Sequence, residues 1–386
     1  MKILFASASS GSRGGGERFL VYLGRALVQR GHQVTLWASS HSRMDEVCNT
    51  FCGFGDVVRS RYVNTYDRPG RSLASYLDLF GAHRIAAEWR RLDPDIIHIN
   101  KQNLEDGLDL LRAAKLARRP NLATIHLTQT AAYLKAKLAP IRDRIARRAL
   151  LAYPGTLVAI AEHRWRDLLS FLGASPRIRL VPNGVPLFDL RQRDTVRTAK
   201  RAELGMKEGN LLLLAMGRMA QQKRPLLFLE KAEEIHRALP QARFLWVGEG
   251  VLSPQWDEQV RAKGLERVIF RLPWSHDIQP FLFAADVFMH VAEFEGLPLA
   301  LLEAMSAGLP ALMTSNLCRE LPFLQNAEPL LLDSAAEVSA LLADPVELRR
   351  RGLAGRGLIE REFSFARMAG EYEILYKAIS SPSSVR

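Results

Sequence analysis

The chain has 386 residues, 48% of them hydrophobic and 24% charged, and carries a formal net charge of +12. Such a length is enough for two domains with cores of their own, and such a composition excludes a disordered chain. No apolar run reaches the roughly 18–20 residues that a membrane span requires.

The first residues, "MKILFASASS", combine a basic residue with a short apolar run. The run is too short for a signal peptide and no cleavage site follows, so it reads as a first buried strand of a cytoplasmic protein. Cys48, Cys52 and Cys318 are too few, and odd in number, for a disulfide framework. The C-x3-C pair has no second pair to complete a zinc site. Short apolar runs at 2–6, 33–38, 95–100, 121–126, 155–161 and 177–183 alternate with amphipathic stretches. Their near-continuous hydrophobicity predicts strands buried on both faces of a parallel sheet. In "GERFLVYLGRALVQRG", Phe19, Leu20, Leu23, Leu27 and Val28 fall at helical spacing, and Gly31 ends the helix.

Between the first strand and that helix lies "SSGSRGGGERF". Consecutive glycines let a ligand approach the backbone, and the helix N-terminus offers free N–H groups. The G-x-G-x-x-G spacing and the acid expected about 20 residues later are both missing, which argues against a nicotinamide cofactor. "DPD" at 93–95 matches a metal-binding D-x-D, but it precedes a strand rather than following one, so no metal site is expected there. His98 sits inside a strand and reads as a core or cleft-edge histidine. His126 ends the strand "LATIH" and points toward a functional edge. The segment 133–151, "YLKAKLAPIRDRIARRALL", interleaves Lys and Arg with apolar residues.

After "VPNGVPLFDLRQRD", whose composition is that of a linker, the pattern restarts. Runs at 210–217, 243–250, 268–273, 287–292, 310–315 and 329–333 predict a second set of strands. Two successive βα series imply an α/β protein of two doubly wound parallel-sheet domains, with the active site expected in the cleft between them. The predicted boundaries are 1–185, 186–362 and a C-terminal helix over 363–386 that packs back across the junction; only the tail "SSPSSVR" is of low complexity. Charge is divided unevenly: residues 1–185 hold 28 Lys+Arg against 15 Asp+Glu, and 186–386 hold 25 against 26. The whole excess lies in the first half, which suits an anionic partner.

In the second half, "GRMAQQKRP" follows the first strand, with Arg218 and Lys223 spaced to hold diphosphate oxygens. "EFEGLPLALLEAM" follows the strand at 287–292. It places Glu295 in a turn, Pro298 in the first helical turn and Glu303 inside an apolar helix. A carboxylate there needs a partner, and a ribose diol would supply two donors.

These motifs together resemble the retaining GT-B glycosyltransferases of family 4, in particular bacterial hexosyltransferases. "EFEGLPLALLEAMSAGLP" is similar to the family's E-x7-E signature, "GRMAQQKRP" to its Gly-Arg…Lys clamp, "VPNGV" to its interdomain segment and "GGGE" to its glycine loop. The resemblance implies two Rossmann-like domains and a nucleotide-sugar donor, a UDP-sugar in the favoured case. Arg218 and Lys223 would bind the diphosphate, with backbone near Gly296, Leu297 and Leu299. Glu303 would hold the ribose, Glu295 and His126 would contact the transferred sugar, Leu272 and Pro273 would read the base, and Gly15 and Gly16 would line the cleft. It implies no metal or other cofactor. The acceptor would be a saccharide or a lipid-linked saccharide of cell-surface polysaccharide or lipopolysaccharide assembly. The basic half would then sit on the anionic inner face of the cytoplasmic membrane. The alternatives are a nucleotide-sugar epimerase of the same fold, a catalytically dead sugar-binding scaffold and a protein binding nucleic acid through its basic half. No nucleic-acid-binding signature supports the last of these, and nucleic acid is not expected as a partner.

Overall fold

A computed structural model describes residues 1–381; the rest of the polar tail, 382–386, lies outside them. The chain divides into two compact units. Unit 1 is Met1–Gly184 with the segment from Phe365 onward, and unit 2 is Val185–Ser364.

Unit 1 holds seven parallel strands: β1 (Lys2–Ser7), β2 (Gln33–Ser39), β3 (Asp56–Ser60), β4 (Ile96–Lys101), β5 (Asn121–Ile125), β6 (Thr156–Ala159) and β7 (Ile178–Leu180). Their order is β3-β2-β1-β4-β5-β6-β7. β1 and β4 are buried along nearly their whole length, because helices cover both faces of the sheet. β3 has no counterpart among the runs read from sequence. It is an edge strand, "DVVRS", with two residues exposed, two half-buried and one buried, so it lacks the continuous apolar run of the central strands.

The C-terminal helix Phe365–Ser380 is part of unit 1. Tyr372 and Tyr376 are fully buried on it. The Tyr376 hydroxyl lies 2.7 Å from His98 Nδ1, His98 Nε2 lies 2.7 Å from Thr124 Oγ1, and Thr124 Oγ1 lies 2.8 Å from the Tyr372 hydroxyl. His98 is thus a core residue that ties β4 and β5 to this helix. Burial, and secondarily the neighbouring His126, push its pKa well below the usual histidine range. Asp95 accepts the Lys2 backbone N–H at 2.7 Å, and Asp93 pairs with Arg119, so the "DPD" acids are engaged at strand and helix ends.

Unit 2 holds six parallel strands: β8 (Leu211–Met216), β9 (Ala242–Val247), β10 (Ile269–Leu272), β11 (Val287–His290), β12 (Ala311–Met313) and β13 (Leu330–Leu331). Their order is β10-β9-β8-β11-β12-β13. In each sheet the chain reverses its winding between two central neighbours, β1 and β4 in unit 1 and β8 and β11 in unit 2. The carboxyl ends of the strands at such a reversal are the place where sheets of this kind take ligands.

Candidate functional site

In unit 2 the loops after β8 and β11 are laced across that reversal point. Gly217 and Gly248 have φ of +148° and +141°, and a Cβ on Gly248 would lie 2.2 Å from Gly217 O. Only glycine permits this approach. The Trp246 indole N–H donates to Gly217 O at 2.9 Å and the Met219 N–H to Glu249 O at 3.0 Å, which fixes the loop carrying Arg218 and Lys223. On the other side, the Glu293 N–H donates to Gln222 O at 2.8 Å and Gln222 Nε2 to Phe294 O at 3.0 Å.

This lacing brings Lys223 Nζ within 2.5 Å of Glu295 Oε1. His290, the last residue of β11, places Nε2 3.1 Å from the same oxygen, a close electrostatic contact without hydrogen-bond alignment. Glu295 is buried. Burial raises its pKa, but the Lys223 charge and the His290 contact outweigh that and hold the carboxyl at about 2. Glu295 is therefore a fixed carboxylate. Lys223, read from sequence as a free clamp for a diphosphate, spends one of its three donors on Glu295 and keeps the others. His290 was missed in the sequence, although it carries the signal that singled out His126: a histidine at the carboxyl end of a parallel strand.

Arg218 is exposed, and no hydrogen bond or ion pair involves its guanidinium among the described residues. The helix Leu299–Ser306 begins one residue later than expected, with Pro298 at its N-cap and no side-chain cap. The Pro298 carbonyl accepts from both Leu301 and Leu302 at 3.0 Å. Among the described residues the backbone N–H groups of Gly296, Leu297, Leu299 and Ala300 donate to no protein acceptor. They are four backbone donors without a protein acceptor near the start of a helix, where the backbone favours negative charge. Glu303 is the fifth residue of this helix and is 2% exposed. Leu272 is half-buried and its carbonyl accepts the Gly248 N–H at 2.9 Å; Pro273 is exposed and has no N–H.

In unit 1 the corresponding place holds a neutral hydrogen-bond chain, with the buried Glu17 and a buried Lys101–Asp106 pair beside it. Gly15 is exposed and Gly16 buried, in the first turn of the helix Gly15–Gln29. Asn100 Nδ2 donates to Gly16 O at 3.2 Å, and Asn100 Oδ1 lies 2.7 Å from His126 Nε2. A carbonyl can only accept, so Gly16 O fixes the Asn100 amide, and the Asn100 oxygen then requires a proton on His126 Nε2. Burial drives the His126 pKa down to about 3, so the ring is neutral. Its Nδ1 is consequently a bare acceptor with no protein partner among the described residues. Gln102 Nε2 bridges Ser9 Oγ at 2.7 Å and Glu17 Oε1 at 3.0 Å across the β1/β4 reversal, and a Cβ on Gly16 would meet it at 2.3 Å. Asn100 and Gln102 carry no motif and were legible only once β1 and β4 were known to be neighbours.

The model of Glycosyltransferase Family 4 matches residues 13–187, and that of Glycosyl transferases group 1 matches residues 210–344. The chain is 34% identical, over 142 residues, to the Escherichia coli UDP-Gal:alpha-D-GlcNAc-diphosphoundecaprenol alpha-1,3-galactosyltransferase, covering 36% of this chain and 37% of that one. It is 22% identical, over 258 residues, to the Acholeplasma laidlawii alpha-monoglucosyldiacylglycerol synthase, covering 64% of this chain and 65% of that one. The matched stretches thus span between about two fifths and two thirds of these curated relatives. The fold is similar to that of Anabaena HepE in complex with UDP and glucose, with a TM-score of 0.77, 17% identity, and coverage of 98% of this chain and 100% of that one. It is similar also to WaaG, a glycosyltransferase involved in lipopolysaccharide biosynthesis, with a TM-score of 0.69, 16% identity, and coverage of 96% and 99%.

Proposed function

Because the chain belongs to glycosyltransferase family 4 and has the GT-B fold, we propose that it moves a hexose from a nucleotide diphosphate sugar to an acceptor hydroxyl. A UDP-sugar is the favoured donor. The acceptor is a saccharide or a lipid-linked saccharide of cell-surface polysaccharide or lipopolysaccharide assembly, and anomeric configuration is retained. The observation that carries this reading is the ionised cluster of unit 2: a buried carboxylate on Lys223 and His290, with an Arg218 and a row of backbone N–H groups that have no protein partner among the described residues. A site with cations and amides on one edge and a fixed carboxylate beside them suits a diphosphate carrying a polyhydroxylated sugar. The UDP-bound neighbour and the galactosyltransferase relative support the choice of donor.

In this mechanism the acceptor oxygen attacks the anomeric carbon on the face from which the diphosphate leaves. The bond from that carbon to the β-phosphate oxygen breaks, and the acceptor proton passes to the departing phosphate. Charge grows on the leaving group, and Arg218, the remaining Lys223 donors and the amides of Gly296, Leu297 and Leu299 stabilise it. Glu295 orients the sugar and steadies positive charge at the anomeric centre, Glu303 takes the ribose diol, and Leu272 with Pro273 borders the base. His126 accepts a hydrogen bond from a sugar hydroxyl, and Gly15 and Gly16 leave room beside it. No metal is assigned a role, since Arg218, Lys223 and the amides already offer positive charge to the diphosphate. Among the described residues no helix is long and apolar enough to cross a membrane; a lipid-linked acceptor would be met by the basic first half at the bilayer surface.

The test is incubation with UDP-hexoses and a polyprenyl-diphosphate-linked sugar, with and without EDTA, with the product linkage read by NMR. A retained anomer formed in EDTA is the expected result. An inverted anomer, a requirement for divalent metal, or epimerised donor in the absence of acceptor would each overturn part of the reading.

A further inference from the structure

His290, the last residue of β11, has no part in the proposed reaction, yet its ring is enclosed in the ionised cluster of unit 2. Its side chain is 5% exposed and that of Glu295 7%, whereas that of Lys223 is 22% exposed. Lys223 is thus the member of the trio that reaches solvent and can turn toward a ligand, while the other two stay enclosed. Residues 288 and 290 lie on one face of the strand. The His290 ring stacks on Phe288, with centroids 6.0 Å apart and planes at 27°. That packing fixes the ring and holds Nε2 3.1 Å from Glu295 Oε1.

An Nε2 lone pair at that distance from a carboxylate oxygen would repel it, so Nε2 carries a proton. Nδ1 is then the acceptor of the neutral ring, and none of the described residues hydrogen-bonds to it. A second proton there would turn the ring into an imidazolium facing Glu295. The same carboxylate oxygen takes Lys223 Nζ at 2.5 Å. One carboxylate charge therefore faces a lysine ammonium and an imidazole able to take a charge of its own. The elements around the ring bring few other ionisable groups. The neighbouring strands β8 and β12 have none. The loop after β8 brings Arg218 and Arg224, and the loop after β11 brings Glu293, 3.7 Å from Arg224. The helix Leu299–Ser306 brings the buried Glu303.

We propose that His290 is a positioning residue that takes up a proton from solvent when a nucleotide diphosphate binds, and so keeps Glu295 in place while the diphosphate draws Lys223 away from it. The inference rests on the reading of unit 2 as a diphosphate site. A buried carboxylate that loses its nearest cation is strongly destabilised. Glu295 is too enclosed for water to replace that cation, whereas the imidazole 3.1 Å away can do so by taking a proton at Nδ1. Lys223 then turns to the phosphates without releasing Glu295 from its place. Binding and protonation are reciprocal: to the extent that the donor drives proton uptake, the proton tightens donor binding.

The experiment is calorimetric titration of the full chain with UDP-glucose in EDTA, in Tris and in HEPES buffer. Both phosphates of UDP-glucose are esterified, so the ligand takes no proton near neutrality. The difference in heat between the buffers then counts the protons that the protein takes up. Wild type should take up a measurable fraction of one proton per UDP-glucose, and its affinity should rise as pH is lowered from about 8 to 6.5, by up to about tenfold per pH unit. His290→Gln should bind more weakly at the lower pH, with no uptake and a flat profile. His126 stays neutral across this range and adds nothing to the count. Lys223→Met imitates the departure of Lys223 without any ligand, so in that variant nitrogen-15 NMR should show the His290 ring taking its second proton at a higher pH than in wild type. Binding of UDP-glucose without uptake, uptake that survives in His290→Gln, or an unchanged His290 titration in Lys223→Met would each overturn the proposal. If UDP-glucose does not bind while the His290 titration still shifts in Lys223→Met, the diphosphate reading falls and takes the trigger with it, and the exchange of partners on Glu295 stands.

Discussion

The two units put their candidate residues at the same topological place and surround their histidines there with different partners. In unit 1 the β1/β4 reversal carries a neutral hydrogen-bond chain, Gly16 to Asn100 to His126, in which burial alone keeps the imidazole uncharged. In unit 2 the β8/β11 reversal carries ions, with Lys223 and His290 holding Glu295 as a carboxylate despite its burial. A neutral acceptor with one allowed tautomer discriminates hydroxyl positions; fixed charges respond to a diphosphate and to charge that develops during reaction. The difference shows how one architecture, used twice, can carry two kinds of polar site; on the proposed function, the first would recognise a sugar and the second would stabilise its leaving group.

The largest effect should come from breaking the ionic side. Lys223→Met leaves the Glu295 carboxylate buried without its main counter-charge and should destabilise unit 2 by about 3 kcal/mol. Adding Glu295→Gln should restore most of that stability but not donor binding. Thermal melts of the two single variants and the double variant read the coupling, and additive losses would mean that the pair is not energetically linked.

Acid should separate the units next. His98 and His126 stay neutral when folded but take protons when unfolded, so unit 1 loses stability as pH falls below about 6.5. Each proton taken up on unfolding steepens that loss until the folded values are approached, while the buried Asp106 and Asp109, whose pKa values burial raises, act in the opposite sense. Glu295 has a depressed pKa, so its contribution is complete above about 4.5 and is lost only as pH falls toward about 2. Hydrogen exchange followed peptide by peptide, corrected for intrinsic rates, should therefore show unit 1 loosening between pH 6.5 and 4.5 before unit 2 does. Simultaneous loosening would remove the contrast.

The smallest effect sharpens the neutral side. Nitrogen-15 NMR of the imidazoles should show His126 with a bare Nδ1 and a protonated Nε2. Asn100→Leu should mix the tautomers, at about 1–3 kcal/mol for the buried groups left unpaired, and Asn100→Asp should raise the His126 pKa. A wild-type ring protonated on Nδ1 would contradict the network.

Most of the fold was legible because central strands such as "KILFA" and "LLLLAM" are continuous apolar runs; the edge strand β3 was not, because half-buried "DVVRS" has none. Of the candidate site, the residues in sequence motifs could be named in advance as candidates: Arg218, Lys223, Glu295 and Glu303. What could not be read was which groups spend their charge on each other. Lys223 and Glu295 are 72 positions apart and become partners only when β8 and β11 lie side by side. Asn100 and Gln102 are ordinary polar residues until the sheet order sets them beside Gly16.

The central claim is that unit 2 holds a nucleotide diphosphate through Arg218 and its neighbours without help from a metal. Calorimetric titration of the full chain with UDP in EDTA tests it most directly, with Arg218→Ala as the comparison. Wild type should bind, and Arg218→Ala should bind tenfold or more weakly with an unchanged melting temperature, as expected for loss of a hydrogen bond to a charged group worth about 1.5–3 kcal/mol. Absence of binding in EDTA, or equal affinity in the two proteins, would contradict the account.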